Sequence, residues 1–323
     1  MSYGFWKDIK KPAIVLAPMA DVTDPAFRRM FAKYGKPDVT WTEFVSADGM
    51  FLGGERAHNI LMRDLSFSEE ERPIVAQMFT SDPGRMKKAA MLCRRLGFDG
   101  FDINMGCPDR SIEKQIAGSA LIKHPKLAQE LIHAAKEGAG DMPVSVKTRI
   151  GYNQNQIEEW LPNLLETKPA VVTLHARTRK EMSKVPAHWD VIKRAVEIRD
   201  EYGSDSYIFG NGDVASLEEA DKRVQETGCD GVMIGRGIFG NPWLFNRNEK
   251  KEDKSVEEIL RVLVEHTKLF DALLGDIKNF SIMKKHFKAY VTGFDGSKEL
   301  RAELMDTANA KEVEEVIRDF IDK

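Results

Sequence analysis

Eight short apolar, β-branched runs recur along the chain, at residues 14–19, 39–45, 73–79, 100–106, 143–150, 170–177, 207–213 and 231–237. Amphipathic stretches with helix-start signals lie between most of them. Asp82-Pro83 offers an N-cap followed by proline at the first helical position. Ser216-Leu-Glu-Glu219 reads as a capping box. The runs are near-continuously apolar rather than alternating, which predicts parallel strands buried on both faces. Eight such units in about 240 residues predict a (β/α)8 TIM barrel. The alternative is an open doubly wound sheet, with a ligand at its strand-order switch point.

The pattern changes near residue 246. Residues 246–254 are polar and rich in Lys and Glu, as in a linker. Beyond them the periodicity predicts only helices, over 255–274, 277–292, 297–306 and 311–321, with a second capping box at Ser255 and Glu258. Residues 1–245 are therefore expected to form the barrel domain, and 246–323 a small all-helical C-terminal domain.

With 42% hydrophobic and 31% charged residues, the 323-residue chain has an ordinary soluble composition. No apolar run approaches the roughly 20 residues of a membrane span, and the N-terminal stretch lacks the build of a signal peptide. Three scattered cysteines, Cys93, Cys107 and Cys229, do not make a disulfide framework and predict a reduced, cytoplasmic setting. Without Cys-x-x-Cys or His-x-x-x-His, no metal is expected. The net charge of −3 carries no global signature of nucleic-acid binding, so a polyanion would have to meet a local basic patch.

Candidate chemistry gathers at one end of the predicted strands. Pro18-Met19, Gln77, Asn104 to Cys107, Lys147, His175-Ala-Arg177, Asn211-Gly-Asp213 and Gly235-Arg236 all fall at C-terminal strand ends, which converge on the active face of a barrel. The glycine-rich stretches after the seventh and eighth runs, Gly210-Asn-Gly-Asp213 and Gly235-Arg236-Gly237, suit a phosphate held by backbone N–H groups and an arginine. Two plain glycine turns would look the same. Lys147 and His175 each close an otherwise apolar strand. A cation there could stabilise the anionic reduced form of a flavin, and Gln77 could pair with the ring's amide-like edge. The bland alternative has Lys147 reaching solvent and His175 capping a loop.

Cys107 sits in a Gly-Cys-Pro turn on this face, whereas Cys93 and Cys229 read as small buried residues. An unperturbed thiol titrates near ~8.5 and is mostly protonated at neutral pH, so it can serve as an acid in double-bond reduction. A nucleophilic thiolate, which would want a nearby imidazole, is the rival.

Ala17-Pro-Met19, Gln77, Asp102-Ile-Asn-Met-Gly-Cys-Pro108, Gly118-Ser-Ala-Leu121, Val146-Lys-Thr-Arg149, His175-Ala-Arg177-Thr-Arg, Asn211-Gly-Asp213 and Gly235-Arg-Gly237 together resemble the tRNA-dihydrouridine synthase family. Asn-Met-Gly-Cys-Pro is highly specific to that family; the phosphate loops are shared with other flavin barrels. The resemblance implies FMN on a TIM barrel, NADPH as reductant, uridine in tRNA as substrate, and a C-terminal domain that helps hold the tRNA. It implies that Ala17, Pro18, Met19, Gln77, Lys147 and His175 line the flavin ring and ribityl chain. Asn211, Gly212, Asp213, Gly235 and Arg236 would hold the phosphate end. Cys107 would protonate carbon 5 of the uracil, and Asn104 and Arg177 would touch the extruded base.

Two local basic patches answer the acidic net charge. One is Arg177-Thr-Arg-Lys180 with Lys184; the other holds Lys278, Lys284, Lys285, His286 and Lys288, interleaved with Phe280, Phe287 and Tyr290 for stacking and backbone contact. An amphipathic helix with a solvated lysine face is the alternative for the second. Of these, Lys284 and Lys285 are the expected tRNA contacts. A flavin enzyme acting on a free pyrimidine or small enone, and a catalytically idle RNA-binding protein, are the competing functions. Oligomeric state is not legible; a monomer is the working expectation.

Overall fold

A computed structural model describes residues 3–323. Eight parallel strands, β1 (Ala13–Leu16), β2 (Thr40–Ser46), β3 (Ile74–Phe79), β4 (Gly100–Met105), β5 (Val144–Arg149), β6 (Val171–His175), β7 (Tyr207–Asn211) and β8 (Gly231–Ile234), pair in the order β1-β8-β7-β6-β5-β4-β3-β2. The ring closes where Val15 bridges Val39, just ahead of β2, with Leu16 N donating to Val39 O at 3.2 Å. This is the barrel and not the open sheet. Most strands stop short of their apolar runs: Met19, Gly106, Arg177, Asp213 and Gly237 lie beyond the ladders, in the loops of the C-terminal face.

Strand alternation sorts the side chains into two cores. Phe101, Ile103 and Met105 of β4 point out to the helical layer, whereas Val15, Trp41, Val75, Phe209 and Met233 fill the barrel interior. Trp6 plugs the N-terminal end, edge-on to Phe209 at 5.5 Å between ring centroids. Apolar packing thus occupies the lower barrel and leaves polar side chains for the upper layers.

The helix starts follow the sequence signals at Asp82 and Ser255 and depart from them at Ser216. Asp82 accepts from Arg85 N at 2.6 Å, with Pro83 opening the helix. At Ser216 only half the expected box forms: Ser216 Oγ accepts from Glu219 N, but the Glu219 carboxylate turns to Ala215 N. The box of Ser255 and Glu258 is complete.

Helices Val256–Leu274, Ser281–Tyr290, Ser297–Asp306 and Ala310–Ile321 follow. The second begins four residues later than its periodicity predicted, after Asn279 caps Ser281 N at 2.8 Å. Their apolar cluster takes in Ala26 and Met30 of the helix Pro25–Tyr34, along with Trp243, so the helical region packs against the barrel beside β1. The polar stretch 246–254 is tied down through Arg247–Asp221 and Lys250–Glu218 ion pairs. Among the described residues no helix is long and apolar enough to cross a membrane.

Candidate active site

A cavity of about 720 Å³ opens at the C-terminal end of the barrel. It gathers Ala17, Pro18, Met19, Gln77, Asn104, Cys107, Lys147, His175, Arg177, Asn211, Gly212, Asp213, Gly235 and Arg236 along one wall-to-wall lining. Strand register sets them in layers: Asn104 is level with Lys147, Arg149 with His175, and His175 with Asn211. Phe44, Arg149 and Ser183 also line the cavity, and the sequence reading gave them no role. Arg149 did carry a signal, because Ser145, Lys147 and Arg149 alternate onto the inward face of β5.

One side of the cavity is cationic. Lys147 Nζ donates to Asn211 Oδ1 at 3.2 Å, and Asn211 Nδ2 donates to Met233 O at 2.7 Å, which fixes the amide with its oxygen toward the lysine. Burial, aided by the Arg149 charge, pulls the Lys147 ammonium down to about 8. His175 is held well below the ordinary histidine value by burial and by Arg149, Lys147 and Arg177. Arg177 Nη1 lies 3.2 Å from His175 Nε2. Since a guanidinium can only donate, Nε2 accepts and the neutral ring carries its proton on Nδ1. Arg149, drawn down to about 10 by burial, ties the loop after β4 to the loop after β6 through Gly106 O, Thr178 O and Met182 O.

The opposite end joins the loops after β7 and β8. Gly212 takes φ +133°, open to glycine and strained for other residues. A Cβ on Gly237 would lie 2.8 Å from Val214 O, so the two loops touch there. Asp213 accepts from Arg177, from Arg236 at 2.9 Å and from Ala187 N at 3.0 Å. Burial acts to raise its carboxyl, but these partners outweigh it and hold it below the usual range. Asp213 therefore aims two arginines. Arg177 is 2% exposed and also donates to Val185 O at 2.6 Å.

The Cys107 turn is built from its flanks. Asn104 Oδ1 accepts from Gly106 N and Cys107 N at 3.1 and 2.9 Å, and Ser119 N donates to Cys107 O at 2.9 Å. Gly118, at φ +60°, admits this approach; a Cβ there would lie 2.6 Å from Cys107 O. Burial pushes the Cys107 thiol up, and among the described residues no hydrogen bond joins it to an imidazole. The wall therefore suits a protonated thiol. Cys93 and Cys229 are buried as expected.

Lys284 and Lys285 lie outside the cavity. Their ammonium groups donate to Met305 O at 2.6 Å and Asp21 O at 2.7 Å respectively. The patch around them is smaller than its sequence promised. His286, Phe287 and Tyr290 are buried in the helical core and cannot stack on a base, and Lys278 is taken up by Glu43 and Asp64. On the other patch, Arg179 forms an ion pair with Glu113, whereas Lys180 and Lys184 are exposed.

Known proteins resemble this chain along nearly its whole length. The dihydrouridine synthase (Dus) family profile matches residues 15–323. A probable tRNA-dihydrouridine synthase of Staphylococcus aureus (strain COL) is 40% identical over 322 residues, covering 99% of this chain and 96% of the relative. Probable tRNA-dihydrouridine synthase 2 of Bacillus subtilis (strain 168) is also 40% identical over 322 residues, covering 99% and 97%. Among solved structures, morphinone reductase in complex with tetrahydroNAD superposes with a TM-score of 0.52 at 13% identity, over 73% of this chain and 85% of that one. A 2-naphthoyl-CoA reductase reaches 0.56 at 11% identity, over 73% and 49%. The two structures share the fold; the profile and the sequence relatives go further, and on their near-complete coverage the chain belongs to the dihydrouridine synthase (Dus) family.

Proposed function

We propose that the protein reduces the C5–C6 double bond of specific uridines in tRNA to dihydrouridine, with bound FMN and with NADPH as reductant. The observation that carries this reading is the donor set of one cavity. A lysine with no ion pair among the described residues, a thiol kept protonated and two arginines aimed by Asp213 all line it. That set fits a flavin: a cation for the ring's pyrimidine edge, glycine backbone and Arg236 for the phosphate. When bound, FMN supplies the hydride.

The chain's own residues do the rest. Ala17, Pro18, Met19 and Gln77 hold the ring edge, with Lys147 and neutral His175 facing the pyrimidine side and ribityl chain. Asn211 orients Lys147; Gly212 and Gly235 let backbone approach the phosphate, and Asp213 presents Arg236 to it. Cys107 delivers a proton to carbon 5 of the uracil as general acid. Asn104 and Arg177 contact the base, which reaches an open-topped barrel only when extruded from the tRNA. Residues 1–245 form the catalytic domain and 246–323 a tRNA-binding domain that contributes Lys284 and Lys285. The protein acts as a cytoplasmic monomer.

The test is direct. Purified protein should show flavin absorbance and form dihydrouridine in tRNA that lacks it when NADPH is added. A colourless protein, or one that reduces free uridine and leaves tRNA untouched, would overturn the reading.

A further inference from the structure

Asp102 lies beneath the cavity, absent from its lining and fully buried. It stands on β4, level with Gln77 on β3 and Ser145 on β5. Gln77 Nε2 donates to Asp102 Oδ2 at 2.6 Å, and Ser145 Oγ donates to Asp102 Oδ1. Gln77 Oε1 in turn accepts from Asn104 Nδ2 at 3.2 Å. Asn104 Oδ1 accepts from the backbone of Gly106 and Cys107. One continuous relay thus runs from the barrel core to the turn that carries the thiol.

Its polarity is forced from both ends. Backbone N–H groups can only donate, so Asn104 must turn its oxygen to the Cys107 turn and its NH2 to Gln77. A carboxylate can only accept, so Gln77 must turn its NH2 down to Asp102 and its oxygen up to Asn104. The two requirements agree at the Gln77–Asn104 link. Gln77 and Asp102 are wholly buried and Asn104 is 5% exposed. Flipping either amide would therefore bury a donor against a donor or an acceptor against an acceptor, at the full desolvation cost.

We propose that Asp102 is a positioning residue: through Gln77 and Asn104 it holds the turn that presents Cys107 to the substrate. The inference rests on reading Cys107 as the proton donor, yet the hold on the turn can be measured with no tRNA present. Cys93 and Cys229 are buried, so alkylation of the folded, flavin-loaded protein by iodoacetamide reports on Cys107.

Asn104→Asp keeps the acceptor for the turn but cannot donate to Gln77. Gln77 must then flip, and its oxygen meets the Asp102 carboxylate. In mildly alkaline buffer this variant should alkylate about fivefold faster than the parent. Adding Asp102→Asn restores the match with donor and acceptor reversed at both links of Gln77, and should bring the rate back within about twofold. In a Gln77→Leu background the second substitution should no longer rescue the first. A merely structural carboxylate predicts the opposite: two damaging substitutions whose effects add. Additive damage, or rescue that persists without Gln77, overturns the proposal. Loss of rescue while the parent protein forms dihydrouridine normally would sink the relay alone, whereas intact rescue with no activity of the parent on tRNA would sink the functional reading alone.

Discussion

Lys278 Nζ lies 2.8 Å from Glu43 Oε2, which joins the helical region to β2 one residue from Phe44 in the cavity wall. Asp64 Oδ1 stands 2.7 Å from the same nitrogen. Glu43 also accepts from Asp21 N, and Lys285 donates to Asp21 O. The loop that follows Ala17–Met19 is thus held at both backbone polar groups by a network that includes the C-terminal helices. Burial raises the Glu43 carboxyl to about 7 against the pull of Lys278. Lys278→Met leaves two carboxylates buried without their cation and should cost about 3–5 kcal/mol in denaturant unfolding at neutral pH. In the variant both carboxylates favour protonation in the folded state. Stability present at low pH is then lost as pH rises through their folded values, so the deficit should shrink toward pH ~5. A deficit that is independent of pH would contradict this account.

Lys147 gives the opposite sign. Its folded value, lowered by burial to about 8, lies under the ordinary value near ~10.4. A depressed lysine favours folding when neutral: that stability is present above ~10.4 and lost as pH falls through the folded value. At neutral pH the flavin-free protein therefore carries a strained cation. Lys147→Met should stabilise the flavin-free protein by about 2 kcal/mol near neutrality, after allowance for partial screening. Its advantage should fade between the two values, while flavin affinity drops. Thermal midpoints of both proteins across that range decide it.

The barrel was legible because parallel strands buried on both faces keep their apolar character from end to end. The same continuity hid where the strands stop, since Met19 and the Gly106–Pro108 stretch serve the cavity as well as the run. Lone polar residues at strand ends marked most of the cavity, but nothing local marks Phe44, an apolar residue among apolar neighbours. Lys278 reads in the sequence as part of a surface basic patch; its partner Glu43 is 235 positions away. The aromatics beside it did carry a warning. Met283, His286, Phe287 and Tyr290 fall at i, i+3, i+4 and i+7, the spacing of a buried helix face rather than a stacking platform.

Substituting Arg236 should separate phosphate recognition from ring recognition. Its guanidinium is largely exposed and aimed by Asp213, which keeps Arg177 as a second partner. Arg236→Ala should weaken FMN binding about tenfold, the low end for a charge-assisted contact. Riboflavin has no phosphate, and its affinity should change by less than about threefold. Equal losses for the two ligands in fluorescence titrations would place Arg236 elsewhere in the site.

Cys107 should behave as an acid whose proton is kept by burial. Cys107→Ala should retain flavin and its reduction by NADPH, and slow dihydrouridine formation by about 10²–10⁴-fold. Because burial raises the thiol, parent activity should stay level through neutral pH and fall on the alkaline side as the thiol ionises. A fall on the acidic side instead would indicate a thiolate nucleophile.

The helical region offers less free positive charge than its lysine count suggests, since Lys278 is already paired. A lysine ammonium has three donors. Lys284 and Lys285 each spend one on a backbone carbonyl and stand at the surface with the others. Changing both to Ala removes two candidate phosphate contacts. The slope of log affinity against log salt should then fall by about 1–2. Lys278→Met should change that slope little, since its charge is already spent on Glu43 and Asp64. Flavin content serves as the control for folding in both proteins. If Lys284 and Lys285 leave the slope unchanged, tRNA is gripped elsewhere, and the exposed Lys180 and Lys184 beside the cavity become the contacts to remove next.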